Sequence, residues 1–287
     1  MLYIIAIFLL VLGKLTFERY SKCGYFEPKI ILLFMDKYIL IYDSGMGGLS
    51  VLIECIKLLP RYNFLYFSDS KNAPYGNKTK KQIISIATKN IAMLKSKFDI
   101  PIVVLACNTM TTTAIDVLRQ KFSDTNFVGT EPCIKLVKDL SFERALVVCT
   151  RATAKNSKVI KEYKTAKDII IGDKNLASLI EKERNSLYRL FPYVSKNYAK
   201  MSGDIDCVVL GCTHYVFVKN IFERIFNVPV FDSGRFVARR VGTLAKGINL
   251  PVDGEIVFCD SGDDRQFFRY FTKIALYQRT KYVMIKM

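Results

Sequence analysis

From Tyr38 onward the chain alternates short apolar runs with stretches of helical periodicity, and that alternation leaves few folds open. The apolar runs are YILIY (38–42), NFLYF (63–67), IVVLA (102–106), NFVG (126–129), ALVVC (145–149), DIII (168–171), CVVLG (207–211) and VPVF (228–231). A strand wet on one face alternates apolar with polar residues, whereas a strand covered on both faces is apolar throughout. Between the runs, Leu49, Leu52, Ile53, Ile56 and Leu59 fall at helical spacing before Pro60. Ile84, Ala87, Ile91 and Leu94 do the same, as do Ile115, Leu118 and Phe122. The pattern predicts an α/β chain built on parallel sheets with helices on both faces. With 287 residues, about two domains are expected. The expected division is residues 35–131, with 234–287 returning to them, and residues 132–233.

An internal echo points to a pseudo-symmetric pair. VVLACNT (103–109) and VVLGCTH (208–214) share Val-Val-Leu-x-Cys, with the two cysteines 105 residues apart. DSG also recurs, at Asp43 and Asp232, but 189 residues apart, so the relation is not a simple tandem shift.

Ligands of α/β sheets bind at the carboxyl ends of the strands. Four loops rich in small polar residues fall there: DSGMGG (43–48), DSKNAPYG (69–76), ACNTMTT (106–112) and GCTHY (211–215). DSGMGG permits a tight turn and close backbone approach, but it is neither G-x-G-x-x-G nor a P-loop. In ACNT and GCTH a cysteine stands where a strand ends and a helix is expected, an environment that stabilises a thiolate and lowers the thiol pKa. One such cysteine is commonly inert. Two in matched settings suit the removal of a proton from one side of a carbon and delivery to the other. Asn108, Thr109 and Thr213 add amide and hydroxyl groups able to hold a carboxylate. His214, the sole histidine, either caps a helix or orients or protonates a group beside Cys212. Cys207, Cys212 and His214 match no zinc-ligand spacing, so no metal is expected.

In this order, DSGMGGLSVL, SDSKNAPYG, ACNTMTT and LGCTHY resemble the glutamate racemases of the aspartate/glutamate racemase superfamily, over Met35 to about Phe271. The resemblance implies a cofactor-independent enzyme interconverting L- and D-glutamate to supply D-glutamate for peptidoglycan, and so for the cell wall and cell shape. It implies two pseudo-symmetric domains, each a parallel-sheet three-layer sandwich, with the active site in the cleft between them. By motif, Cys107 and Cys212 are the acid–base pair. Asp43 and Ser44 bind substrate, and Asp43 also assists the first cysteine. Pro74, Tyr75 and Gly76 form a substrate loop. Asn108, Thr109, Thr213 and His214 follow the two cysteines, and His214 belongs with the catalytic group. LASLIE (176–181) resembles a stretch ending in an assisting glutamate, here Glu181, although the usual preceding Cys-Pro is replaced near Asp173 and Lys174. Val216 stands where proline is usual, which implies a local backbone adjustment.

Composition separates the remaining classes. The net charge of +17 raises the question of nucleic acid, but the lysines are scattered and no arginine-rich stripe or aromatic RNA-binding signature occurs, so no nucleic-acid partner is expected. Eight cysteines without CxxC fit a reducing cytoplasm rather than a disulfide framework. A thiol redox protein would need a resolving cysteine near the attacking one. An aspartate or other amino-acid racemase of the same superfamily is the nearer alternative. At the N-terminus, MLYIIAIFLLVLG is about 13 apolar residues, short of the roughly 20 a membrane span needs, and neither a basic n-region nor an A-x-A-like site flanks it. Residues 1–34 are expected to be an over-extended start or a dispensable leader, with no membrane association. Glutamate is the expected small-molecule partner, and a homodimer or monomer–dimer equilibrium the expected assembly.

Overall fold

The computed structural model describes residues 37–251, 254–262 and 281–286. The reading of residues 1–34 lies outside the described residues, as does part of the 234–287 segment.

The first half runs β1 (Lys37–Asp43), α1 (Leu49–Leu58), β2 (Phe64–Ser68), α2 (Lys80–Lys95), β3 (Asp99–Leu105), α3 (Asn108–Lys121) and β4 (Asn126–Gly129). Next come α4 (Ile134–Asp139), β5 (Ala145–Thr150), α5 (Arg151–Asn156), α6 (Lys158–Tyr163), β6 (Ile169–Asp173), α7 (Leu176–Lys182), α8 (Phe191–Tyr198), β7 (Cys207–Gly211), α9 (Lys219–Phe226), β8 (Val230–Phe231) and α10 (Gly234–Ala245). β9 (Glu255–Asp260) and β10 (Lys281–Lys286) complete the described elements. Two sheets result, one ordered β10-β9-β2-β1-β3-β4 and one ordered β6-β5-β7-β8, and every pairing in both is parallel.

The apolar runs are strands because both of their faces are covered. Ile39 and Ile41 of β1 pack with Leu49, Leu52, Val237 and Val241 of α1 and α10. The alternate residues Tyr38, Leu40 and Tyr42 pack with Ala87, Ile91, Met110 and Ala114 of α2 and α3. β5 repeats this: Leu146 and Val148 join α7 to α9, whereas Val147 and Cys149 join α4 and α6. Each fully buried Leu or Ile contributes about 1.5–3 kcal/mol. Local signals fix the helix starts. Thr79 and Gln82 form a reciprocal capping box on α2, and the Thr150 and Ser157 hydroxyls cap α5 and α6.

Some details depart from the sequence reading. α2 buries Ile83 rather than Ile84, which packs at the rim. β6 is half-buried along its length because it is an edge strand. The VPVF run forms a strand only at Val230–Phe231. β9 and β10 were not foreseen. β9 extends the larger sheet beside β2, pairing Phe64 with Ile256 through Ser68 with Asp260. Seven described cysteines are free thiols, and among the described residues no helix is long and apolar enough to cross a membrane.

Candidate active site

A cavity of about 360 Å³ opens where the carboxyl ends of the two sheets face each other. Cys107 reaches it from the end of β3 and Cys212 from the end of β7, so each sheet supplies one thiol. Ser44, Pro74, Tyr75, Gly76, Asn108, Thr109, Glu181 and His214 also line it. Asp43 and Thr213 do not: they lie behind the wall, hydrogen-bonded to each other across the two sheets, with Thr213 Oγ1 donating to Asp43 Oδ1 at 3.4 Å.

The wall is stitched by groups from distant segments. Thr109 and Thr150 hydroxyls meet at 2.8 Å, joining α3 to the carboxyl end of β5. Tyr75, from the Pro-Tyr-Gly loop, donates to Asp69 Oδ2 at 2.6 Å and lies 2.7 Å from the Tyr42 hydroxyl, which accepts from Asn90 at 2.8 Å. That chain fixes the loop from beneath. Asn108 Nδ2 is buried with no protein partner. A buried amide donor left unmet costs about 1–3 kcal/mol, so it is suited to an acceptor on a bound molecule.

The two thiols have different surroundings. Cys107 caps α3, and the Ser44 hydroxyl approaches its Sγ at 3.7 Å. The expected lowering of its pKa is not what the structure gives. Burial and the nearby Asp43 charge push the Cys107 thiol up to about 12, against the lowering influence of the Met110 amide and Ser44. The helix end acts in the expected sense, but desolvation outweighs it. Burial likewise holds the Asp43 carboxyl above its usual range, opposed by His214 and the Gly45 amide.

Cys212 precedes a 3₁₀ stretch, Thr213–Val218, rather than an α-helix. Val216, at the position usual for proline, lies inside it. His214 Nδ1 sits 4.0 Å from Cys212 Sγ, and His214 Nε2 lies 2.7 Å from Glu181 Oε1. Glu181 also accepts from the Met46 amide at 2.8 Å. Burial alone would disfavour the imidazolium, yet contacts with Cys212 and Glu181 raise the His214 pKa well above its ordinary value. Burial would raise Glu181, but His214, the Met46 amide and Arg184 bring it below its ordinary value. Both directions favour an imidazolium paired with a carboxylate.

This arrangement gives the DSGMGG glycines a role. A Cβ on Gly47 would fall 2.3 Å from His214 Nδ1, so only glycine lets the loop of one sheet receive the histidine of the other. Sequence reasoning missed Thr150, Arg151 and Ser178 on the cavity wall. Thr150 and Arg151 follow the ALVVC run at a strand's carboxyl end, which was the available signal.

Residues 55–241 match the Asp/Glu/Hydantoin racemase family. The chain is 35% identical to the glutamate racemase of Clostridium botulinum over 201 residues, which is 67% of this chain and 78% of that protein. It is 35% identical to the glutamate racemase of Aliivibrio fischeri over 237 residues, 79% of this chain and 89% of that one. Escherichia coli glutamate racemase, solved in complex with L-glutamate and the activator UDP-MurNAc-Ala, has a TM-score of 0.77 and 25% identity, covering 88% of this chain and 98% of that chain. With a family match across most of its length and two thiols facing one cavity from paired sheets, this chain belongs to the Asp/Glu/hydantoin racemase family.

Proposed function

We propose that the protein interconverts L- and D-glutamate without a cofactor, Cys107 and Cys212 acting as opposed acid and base, and that it supplies D-glutamate for peptidoglycan in the cytoplasm. The observation that carries this reading is the convergence of one thiol from each sheet on a single cavity. One thiolate takes the α-proton, leaving a planar carbanion. The other thiol donates its proton to the opposite face. The net change at carbon is inversion, and the thiol and thiolate forms have exchanged places.

The surroundings suit this division. Cys107 is held as a thiol, ready to donate. The His214 imidazolium places positive charge 4.0 Å from Cys212 Sγ, facing whatever negative charge the reaction puts there. Glu181 keeps that imidazole protonated and oriented, which makes it a positioning residue. Asp43 acts from behind the wall, through its charge on Cys107 and its bond to Thr213. Ser44, Asn108, Thr109 and the Pro74–Gly76 loop offer donors to the substrate's α-carboxylate. The same family likeness supports residues 35–131 with 234–287, and 132–233, as the two domains, and a homodimer or monomer–dimer equilibrium as the assembly.

Circular dichroism of each glutamate enantiomer, incubated with the protein alone, tests the function. Loss of optical activity from both is expected. Equal turnover of aspartate would favour the alternative of a broader amino-acid racemase, because a misplacement of about 1 Å costs a dedicated site about 100-fold.

A further inference from the structure

The last register pair of β5 and β6 is Thr150 opposite Asp173. The next residue on each strand is a cation, Arg151 at the start of α5 and Lys174 just past β6. Neighbouring strands lie about 4.8 Å apart, so the two cations leave the sheet side by side. Both line the cavity that holds Cys107 and Cys212. Gly172 brings Arg151 close to β6: a Cβ there would lie 3.0 Å from Arg151 Cα and 3.3 Å from its Cγ.

The acids on the cavity wall are engaged elsewhere. Asp173 accepts from the Asn175 and Leu176 amides at 2.6 and 2.9 Å, and from the hydroxyls of Tyr193 and Tyr198. Glu181 is taken by His214 and the Met46 amide. Among the described residues, neither Arg151 nor Lys174 has an acidic partner. Like charges at neighbouring strand positions repel, and an anion between them relieves the repulsion.

We propose that Arg151 and Lys174 form a carboxylate clamp that takes the side-chain carboxylate of an acidic amino acid and sets the preference for dicarboxylates over neutral substrates. The proposal rests on the reading of the protein as an amino-acid racemase. The sheet order β6-β5-β7 places Arg151 one strand, and Lys174 two strands, to the side of Cys212. One strand spacing is about 4.8 Å. The side chain of glutamate, with three bonds of about 1.5 Å between the α-carbon and its distal carboxylate, spans most of that offset. The α-carbon can then stay between the thiols while the distal carboxylate reaches the Arg151 position, and the second strand spacing is within the length of the Lys174 side chain. A neutral amide at the same place leaves the repulsion unrelieved.

The probe is glutarate, a dicarboxylate with no α-amino group, with butyrate as its single-carboxylate control. Their heats of binding are measured on the full chain, on Arg151→Ala, Lys174→Ala and the double variant. Each single change should weaken glutarate about tenfold and the double change about 100-fold, with butyrate little affected. In turnover, KM for glutamate should rise more than kcat falls. Arg151→Lys should recover much of the loss, and Lys174→Glu should exceed Lys174→Ala. Both side chains are exposed, so the variants are expected to fold, which far-ultraviolet circular dichroism checks. Glutarate affinity and KM unchanged in the double variant would overturn the clamp, as would absence of glutarate binding to the unmodified protein. If glutarate binds through the clamp while the unmodified protein does not racemise glutamate, the clamp stands and the functional reading fails.

Discussion

Cys107 and Cys212 follow the same Val-Val-Leu-x-Cys run, yet the protein treats them differently. Cys107 caps an α-helix, with the Ser44 hydroxyl at 3.7 Å and a buried carboxylate, Asp43, behind it. Cys212 opens a 3₁₀ stretch and faces an imidazolium held by Glu181. The first thiol lies beside negative charge and the second beside positive charge. A pseudo-symmetric backbone thus carries an asymmetric pair of acid–base groups, and the reaction proposed here should show that asymmetry.

The largest effect should come from removing either thiol. Inversion needs a group on each face, so Cys107→Ala and Cys212→Ala should each lower racemisation by about 10⁴-fold, the upper range for one acid–base group. The serine variants sharpen the test. Given a substrate with a leaving group on the adjacent carbon, Cys107→Ser and Cys212→Ser should eliminate from opposite enantiomers. Preference of both for the same enantiomer would break the comparison.

Gly47→Ala should come next. Its methyl group would enter the His214 ring, and displacement of a positioned group by about 1 Å costs about 100-fold. Racemisation should fall by that order, while Cys107 should keep its reactivity toward a thiol reagent. Equal loss at both thiols would show that the loop supports the whole site rather than the Cys212 side.

Glu181→Gln should act more gently, lowering kcat/KM by about tenfold. The two enantiomers have equal free energy, so kcat/KM must fall equally in both directions and cannot reveal the asymmetry. Isotope effects can. The resemblance implies that Cys212 deprotonates the L enantiomer; on that reading the α-deuterium effect on L-glutamate should grow and that on D-glutamate shrink. Equal changes in both would remove Glu181 from the Cys212 side.

The smallest effect is on stability. The His214–Glu181 pair is mostly buried, with side-chain exposures of 8% and 27%, and a hydrogen bond between charged groups contributes about 2 kcal/mol. The sign follows from the two shifts. Glu181 is lowered from 4.5, so its contribution is present above that pH and is lost as pH falls through the lower folded value. His214 is raised from 6.5, so its contribution is complete below that pH and is lost as pH rises through the higher folded value. Denaturant unfolding of the unmodified protein against Glu181→Gln should therefore show a stability gap that is widest near pH 5 to 6 and closes at both extremes. A gap independent of pH would mean that the pair is not ionised.

Much of the molecule is legible one segment at a time. Apolar runs such as YILIY and CVVLG are strands because only a covered sheet accommodates them, and each cysteine stands at a strand's carboxyl end because its own segment puts it there. Periodicity erred by one residue on α2, choosing Ile84 over Ile83, because neighbouring apolar residues blur a helix face. The EIVFCD run went unread as a strand because its stabilisation comes from pairing with β2, some 190 residues earlier, and nothing local reports that partner. Glu181 could be named from its resemblance alone, but its salt bridge to His214 and its bond to the Met46 amide, 135 residues away, are tertiary facts. The direction of the Cys107 shift is another: the helix end is written in ACNT, whereas the burial and the Asp43 charge that outweigh it exist only once the sheets close. Short-range periodicity and turn chemistry encode the parallel α/β build and the two thiol-bearing strand ends, so both can be read along the chain. Which charge faces each thiol and which cations share the cavity are settled by folding, because they depend on distances between segments that the chain order does not contain.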